Sequence, residues 1–380
     1  MRSREQASTS LPKLPLFVIS RTLLILVGLL FALVVVEIAL RIIPIPNRFT
    51  LMQRLAQQWE SDDELLLHLK PNLNMRIYGH PEFSYTVRTN ADGLRDEPFV
   101  GAFDVAAIGD SFTFGFGVEE EESWPTRLEA ISGARVANLG WAGWNSHVYP
   151  AAIKRYAIPL GTRIWLWTFF GNDLPESVGA EDFLNSGEQD YKRWVEQNRM
   201  YTTSPPFPFN LRIVQLVTAL IKPELFLLPD SGDRIFDNGE LRMRVGRYAW
   251  ETTDLDQPNV QRGWELTEAA LIKAQDLAVL YDATLVVVFI PNREHVYWPY
   301  IKDVMKDADI RQLDGVDARL RDFCEAHGIL YLSLLPGLRS RAMHGEMLYF
   351  PSDGHWNAAG HELASQLVYD MLLNERLLTR

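Results

Sequence analysis

Thr284-Leu285-Val286-Val287-Val288-Phe289-Ile290 is the stretch that decides the fold class. An unbroken apolar run of this length predicts a strand covered on both faces, as in the interior of a parallel sheet. Helical patterns flank it. Upstream, Trp264, Leu271, Ala274, Leu277 and Ala278 share one face of a helix over 264–280; downstream, apolar positions recur at helical spacing over 313–326. Toward the N-terminus the same rhythm predicts strands at 103–108, 135–139 and 164–170, ending at Gly109, Gly140 and Gly171, with helices at 124–131 and 146–156. Toward the C-terminus it predicts a strand at 329–332 and a closing helix at 361–372. Five strands with intervening helices make a three-layer α/β domain with a parallel sheet. Segment 174–261 interrupts the rhythm with Ser204-Pro205-Pro206-Phe207-Pro208-Phe209 and a short apolar helix at 211–221. A long insertion is either a lid or specificity element beside the site, or a structural decoration.

Before this domain, 41–100 reads as a connector and leading subdomain, with turn signals at Pro71-Asn72, Gly79-His80-Pro81 and Ala91-Asp92-Gly93. Ahead of it, 22–40 (TLLILVGLLFALVVVEIAL) carries one charge, Glu37, and is long enough for a helix to cross a hydrocarbon core of about 30 Å. Glu37 and Arg41 stand four apart, so they face each other near the helix end. The competing reading is a cleaved signal peptide. Against it, the apolar run is long and Arg41-Ile42-Ile43-Pro44 follows in place of small residues. The expected arrangement is a cytoplasmic segment 1–21, a transmembrane helix 22–40 and an extracytoplasmic body. The basic residues on either side give only a thin bias for this orientation.

The net charge is −12, which argues against a nucleic-acid partner. The run Glu119–Glu122 reads as a solvated helix start. Cys324, the sole cysteine, excludes an intrachain disulfide and a cysteine metal site, and its helical apolar surroundings make it a core thiol. His68, His80, His147, His295, His327 and His344 show no metal-ligand spacing, and His361 reads as a surface or packing residue of the last helix. No metal and no cofactor is expected.

In an open parallel sheet, ligands sit beyond the carboxyl ends of the strands. The first strand runs into Gly109-Asp110-Ser111-Phe112-Thr113-Phe114-Gly115, the second into Asn138-Leu139-Gly140-Trp141-Ala142-Gly143, and the third into Gly171-Asn172-Asp173. Ser352-Asp353-Gly354-His355-Trp356-Asn357 precedes the last helix. A serine hydroxyl is a weak nucleophile that needs a base, and histidine titrates near working pH. Asp110 and Asp173 read as turn and network residues.

These four blocks, in this order, resemble the SGNH (GDSL-type) hydrolase superfamily over roughly residues 100–372. The resemblance implies a flavodoxin-like fold with a five-stranded sheet, in a hydrolase domain spanning 101–372. It also implies Ser111 as nucleophile, His355 as general base, and the Ser111 amide, the Gly143 amide and the Asn172 side chain as oxyanion-hole donors. The superfamily pattern usually places the acid three residues before the histidine. Here position 352 is Ser, and Asp353 stands two before His355. This Asp-x-His-Trp form resembles the alginate O-acetylation branch, which makes Asp353 the expected third member of the triad. Arg88–Arg95 and Pro291-Asn292-Arg293-Glu294 also look like membrane-bound bacterial relatives. Trp141 and Trp144 flank Gly143 and would either line the substrate site, stacking on a sugar, or pack in the core. The reading that follows is a membrane-anchored serine esterase acting on O-acyl groups, acetyl above all, of a cell-envelope or exported glycan. The partner would be an acylated carbohydrate or a lipid ester. The alternatives are an O-acetyltransferase on the same glycan and a non-catalytic glycan-binding relative.

Overall fold

Side chains along the central strands alternate between two separate cores, and that alternation builds the layers. A computed structural model describes residues 16–42, 55–78, 80, 82–198, 210–221, 233–306 and 308–378. They fall into two compact units, residues 1–45 with 204–226 and residues 46–203 with 227–380.

The larger unit holds a parallel sheet of β1 (Val105–Gly109), β2 (Val136–Gly140), β3 (Ile164–Phe169), β4 (Thr284–Phe289) and β5 (Leu330–Ser333), in the spatial order β5-β4-β3-β1-β2. Ala106, Ile108, Trp165, Trp167, Leu285 and Val287 enter one core, while Val105, Ala107, Ile164, Leu166, Val286 and Val288 enter the other. Period-two alternation with both faces apolar is what a doubly covered sheet requires. The first core is closed by helices Asp173–Ser186 and Pro258–Leu280, the second by Trp124–Ser132 and Ala358–Asn374. This is the expected five-stranded, three-layer α/β fold.

Three expectations change. The segment 174–261 begins with a layer helix: Asp173–Ser186 packs on Pro258–Leu280 so closely that a Cβ at Gly263 would run into the Leu174 backbone. The departure from the α/β rhythm therefore comes after Ser186. It includes the antiparallel hairpin Arg234–Asp237 with Arg242–Val245; residues 199–209 and 222–232, with the Ser204–Phe209 stretch, lie outside the described residues. The helix expected at 146–156 is a short α-turn, Tyr149–Ala152, followed by a π-helical turn, Ile153–Ala157. In the leading subdomain two hairpins form, Trp59–Asp62 with Leu66–Leu69 and Asn74–Ile77 with Tyr85–Arg88. Glu119–Glu122 is not simply a solvated charge run. Arg76 pairs with Glu119, and Arg88 lies 3.5 Å from Glu120 and 2.9 Å from Glu121, tying the second hairpin to this segment.

In the smaller unit, helix Leu16–Leu40 starts six residues before the expected span, because Arg21 is a good helix former and does not interrupt it. Its window Leu23–Leu40 has a mean hydropathy of 3.0 and exposed side chains, and it is the one helix among the described residues long and apolar enough to cross a membrane. Glu37 takes the Arg41 guanidinium at 3.2 Å, as its spacing predicts, and accepts the Ile213 N–H at 3.1 Å at the start of helix Arg212–Ile221.

Candidate active site

Ser111 opens a single helical turn, Ser111–Phe114, directly after β1. The sharp strand-to-turn junction is held by Asp110, whose carboxylate accepts the Phe112 N–H at 2.9 Å. Glycine is required at 109, since a Cβ there would overlap the hydroxyl oxygens of Thr113 and Thr168, which bond to each other at 2.8 Å.

The last strand-to-helix segment brings the base. Asn357 caps helix Ala358–Asn374 by accepting the Gly360 N–H and donates its Nδ2–H to Met347 O at 2.7 Å. The preceding loop turns back on itself, with Phe350 N–H donating to His355 O at 3.0 Å. The Ser111 hydroxyl donates to His355 Nε2 at 2.7 Å, and His355 Nδ1–H donates to Asp353 Oδ1 at 2.5 Å. Asp353 also accepts the His355 N–H at 2.9 Å, so one carboxylate holds both the backbone and the ring. Phe112 and Phe116 pack on the imidazole at centroid distances of 5.1 and 4.5 Å. Burial by itself would discharge both groups. The mutual Coulomb attraction and hydrogen bond outweigh it, holding Asp353 well below the usual carboxylate range and raising His355 above the ordinary imidazole value.

A cavity of 270 Å³ opens beside Ser111 and His355, and Asn172 lines it from the end of β3. Asn172 Nδ2–H donates to Glu176 Oε1 at 3.0 Å. Gly143 lies in the turn after β2 at φ 118°, a conformation open chiefly to glycine. The two tryptophans beside it do not line the cavity. Trp144, 1% exposed, donates its indole N–H to Leu67 O at 2.7 Å, and Trp141, 2% exposed, packs edge-on against Trp59 and Phe114. The substrate-lining role is thus corrected: large aromatic area next to a glycine turn was drawn into the core by the leading hairpin. His361 is likewise buried, its Nδ1 accepting the Trp124 N–H at 3.3 Å. Burial pushes the Cys324 thiol up to about 12, as a core cysteine requires.

Several residues that shape the site carry no motif. Arg293, buried after β4, donates from Nη1 to the carbonyls of Phe350, Pro351 and Asp353 and from Nη2 to Glu294. The hairpin in the 174–261 segment reaches the same loop: Arg244 N–H donates to Pro351 O at 2.7 Å, and Gly246 N–H to Glu294 Oε1 at 3.2 Å. Asp233, Arg244 and Tyr248 therefore line the cavity, with Arg244 paired to Asp233 at 3.1 Å. The leading subdomain adds Glu82, which accepts the Ser352 N–H at 3.1 Å. Among these, the sequence pointed only to Arg293 and Glu294, through the Pro291-Asn292-Arg293-Glu294 resemblance and their place after a strand. Arg293 follows the fourth strand end, where the strand-end rule places ligands.

A hydroxyl, an imidazole and a carboxylate in one hydrogen-bonded line, beside a cavity at the carboxyl ends of a parallel sheet, have the layout of a hydrolase. The chain belongs to the GDSL-like Lipase/Acylhydrolase family, whose model matches residues 107–363, and it is an ester-hydrolysing enzyme. No curated protein matches it. Among solved structures it is similar to a G-D-S-L family protein from Desulfitobacterium hafniense (13% identity, 71% of this chain and 99% of that one, TM-score 0.38). It is also similar to an acetylxylan esterase from Geobacillus stearothermophilus (12% identity, 71% and 94%, TM-score 0.38). An enzyme from the metagenome of Lake Arreo, Spain, matches as well (13%, 74% and 99%, TM-score 0.38).

Proposed function

We propose that the protein is a membrane-anchored serine esterase that removes short O-acyl groups, acetyl above all, from a cell-envelope or exported glycan. The observation that carries this reading is the Ser111–His355–Asp353 line, at 2.7 and 2.5 Å, opening on a 270 Å³ cavity. In this reading His355 Nε2 takes the Ser111 proton as Oγ attacks the ester carbonyl. Charge develops on the carbonyl oxygen, where the Ser111 and Gly143 amides and the Asn172 carboxamide would act as donors. Each such donor typically contributes about 3–4 kcal/mol to the transition state. The imidazolium, held by Asp353, then gives its proton to the leaving sugar oxygen as the ester C–O bond breaks, releasing the sugar hydroxyl; water then releases the acyl group by the same steps in reverse. The cavity lies below the usual range for drug-sized ligands, about 300–1,000 Å³, which favours a short acyl chain with the sugar outside.

The test has two parts. A fluorophosphonate probe should modify Ser111 alone, located by peptide mass, and acetylated glycan oligomers should lose acetyl on incubation. Absence of label on Ser111 defeats the nucleophile assignment. Acetyl gained by the glycan from an acyl donor would instead identify a transferase.

The anchor is tested separately. With an exposed apolar window of mean hydropathy 3.0, the full chain is expected to stay with membranes through a high-salt wash. A chain truncated to begin at Asn47 should be soluble and still hydrolyse p-nitrophenyl acetate. Recovery of the native protein as a shortened soluble form would favour a cleaved signal peptide.

A further inference from the structure

Asn172 and Glu176 stand one helical turn apart at the start of Asp173–Ser186, so their side chains share a helix face, and Asn172 lines the cavity. One contact joins them, Asn172 Nδ2–H to Glu176 Oε1 at 3.0 Å. The other two oxygens of the pair, Asn172 Oδ1 and Glu176 Oε2, are both shut off from solvent, and neither has a hydrogen-bond partner. Two buried acceptors on adjoining groups is an expensive arrangement if Glu176 is an anion, because neither oxygen then has a donor.

It is resolved if Glu176 is a neutral acid. A carboxylic acid and a carboxamide pair at two points, the amide N–H to the acid carbonyl and the acid O–H to the amide carbonyl. This pairing satisfies both orphaned oxygens. It uses only the Nδ2 hydrogen on the same side as Oδ1 and leaves the other pointing away from Glu176.

We propose that Glu176, as a neutral carboxylic acid, is a positioning residue that grips the Asn172 carboxamide at two points and turns its free N–H toward the oxyanion. The proposal rests on the esterase reading above. The surroundings favour the neutral acid. The groups facing Glu176 are the carboxyls of Asp110 and Asp173 and the phenols of Tyr149, Tyr191 and Tyr248, none of them cationic. Burial first, and the Asp110 charge second, push Glu176 up to about 8. Below that pH the acid O–H is present. Above it the anion has no proton to give Oδ1, the two-point pairing opens, and the donor is released from its alignment.

The test is the pH profile of kcat for p-nitrophenyl acetate across the neutral and alkaline range, with Ser111→Ala as the blank. Wild type should lose kcat as pH rises through about 8. Glu176→Gln keeps both pairing points without a titratable proton, so it should stay near wild type at neutral pH and hold its kcat into the alkaline range. Glu176→Ala should lose about 10–100-fold in kcat with little change in KM, less than the 10²–10³ typical of deleting an oxyanion donor itself. Added to Asn172→Ala, Glu176→Ala should cost nothing more, because the two act through one group. An alkaline limb that persists unchanged in Glu176→Gln overturns the proposal, as does a wild-type kcat and profile in Glu176→Ala. If the alanine variant does not fold, the glutamine profile decides. Turnover by Ser111→Ala at the wild-type rate would defeat the esterase reading instead, an outcome separate from either result at Glu176.

Discussion

Asp353→Asn is expected to lower kcat for p-nitrophenyl acetate by about 10⁴-fold and His355→Ala or Ser111→Ala by about 10⁶-fold, with the Asp353→Asn/His355→Ala double variant no worse than His355→Ala. The magnitude follows from what the carboxylate does. Asp353 Oδ1 sits 2.5 Å from His355 Nδ1, so it keeps the proton on that nitrogen and leaves Nε2 free to accept from Ser111 at 2.7 Å. An asparagine of the same shape can present its N–H to Nδ1, which then carries no proton. Nε2 becomes a donor, and the hydroxyl has no base. The double variant adds little because a misplaced tautomer has no meaning without the ring.

The same substitution moves the acid limb of kcat/KM. His355 is active when neutral, and in the wild type it is raised above its ordinary value of about 6.5, so activity should appear as pH rises through a point above that. Without the Asp353 charge, burial lowers the imidazole, and the limb should move to lower pH even as the plateau falls. Near-normal kcat in Asp353→Asn would mean a Ser–His dyad whose ring is oriented by another acceptor. Thermal melting of each variant separates these losses from unfolding.

Much of this fold is legible in the sequence, for a physical reason. Strands of a doubly covered parallel sheet must be apolar on both faces and must end where the chain turns toward the ligand. The strands 103–108, 135–139, 164–170, 284–290 and 329–332 accordingly fall within two residues of the observed bounds. Helix starts were less legible, since polar caps carry them and not apolar periodicity. The helix expected at 264 begins at Pro258, a residue suited to a first turn. Those expected at 313 and 361 begin at 310 and 358 behind Asp309 and Asn357, whose side chains accept amide protons from the first turn. The roles of Ser111, His355 and Asp353 are legible only through the resemblance to the SGNH hydrolases; in the structure a glycine turn presents the serine, and two-residue spacing lets Asp353 reach both the amide and the ring of His355.

What the sequence could not announce depends on contacts between distant segments. Trp141 and Trp144 stand beside Gly143 in the chain, yet the first leading hairpin packs on them. Arg244 and Gly246 come from the segment that breaks the α/β rhythm, and their role is set by docking on Pro351 and Glu294. No periodicity encodes such a meeting. The segment's hairpin contributes to the walls of the cavity, so its side chains, together with the triad line, shape the space in which an ester must fit.

Arg293 is where these distant contacts converge, and its removal is the second large effect expected. Its guanidinium is buried and supplies donors to three carbonyls of the base-bearing loop, at 3.1 Å to Phe350, 3.3 Å to Pro351 and 2.9 Å to Asp353, and to Glu294 at 3.1 Å. Glu294 in turn accepts from Gly246 of the hairpin segment, so one cation joins the fourth strand end, the base loop and the cavity wall. Arg293→Met fills much of the volume but leaves the carboxylate of Glu294 without its cation and the carbonyls without their donor. Breaking a buried pair from one side typically costs about 3–5 kcal/mol. Arg293→Lys should recover little, since an ammonium on a single stem cannot reproduce a planar fork spanning a carboxylate and three carbonyls. Catalysis should fall as well. Asp353 and His355 lie on the loop that Arg293 holds, and a shift of about 1 Å in a reacting group costs roughly 10²-fold. The signature is a lower urea midpoint together with reduced kcat in both variants, while Ser111→Ala leaves the midpoint unchanged. Wild-type unfolding and turnover in Arg293→Met would show that the loop carries its own geometry, with Asp353 and the Phe350–His355 turn sufficient to seat the base.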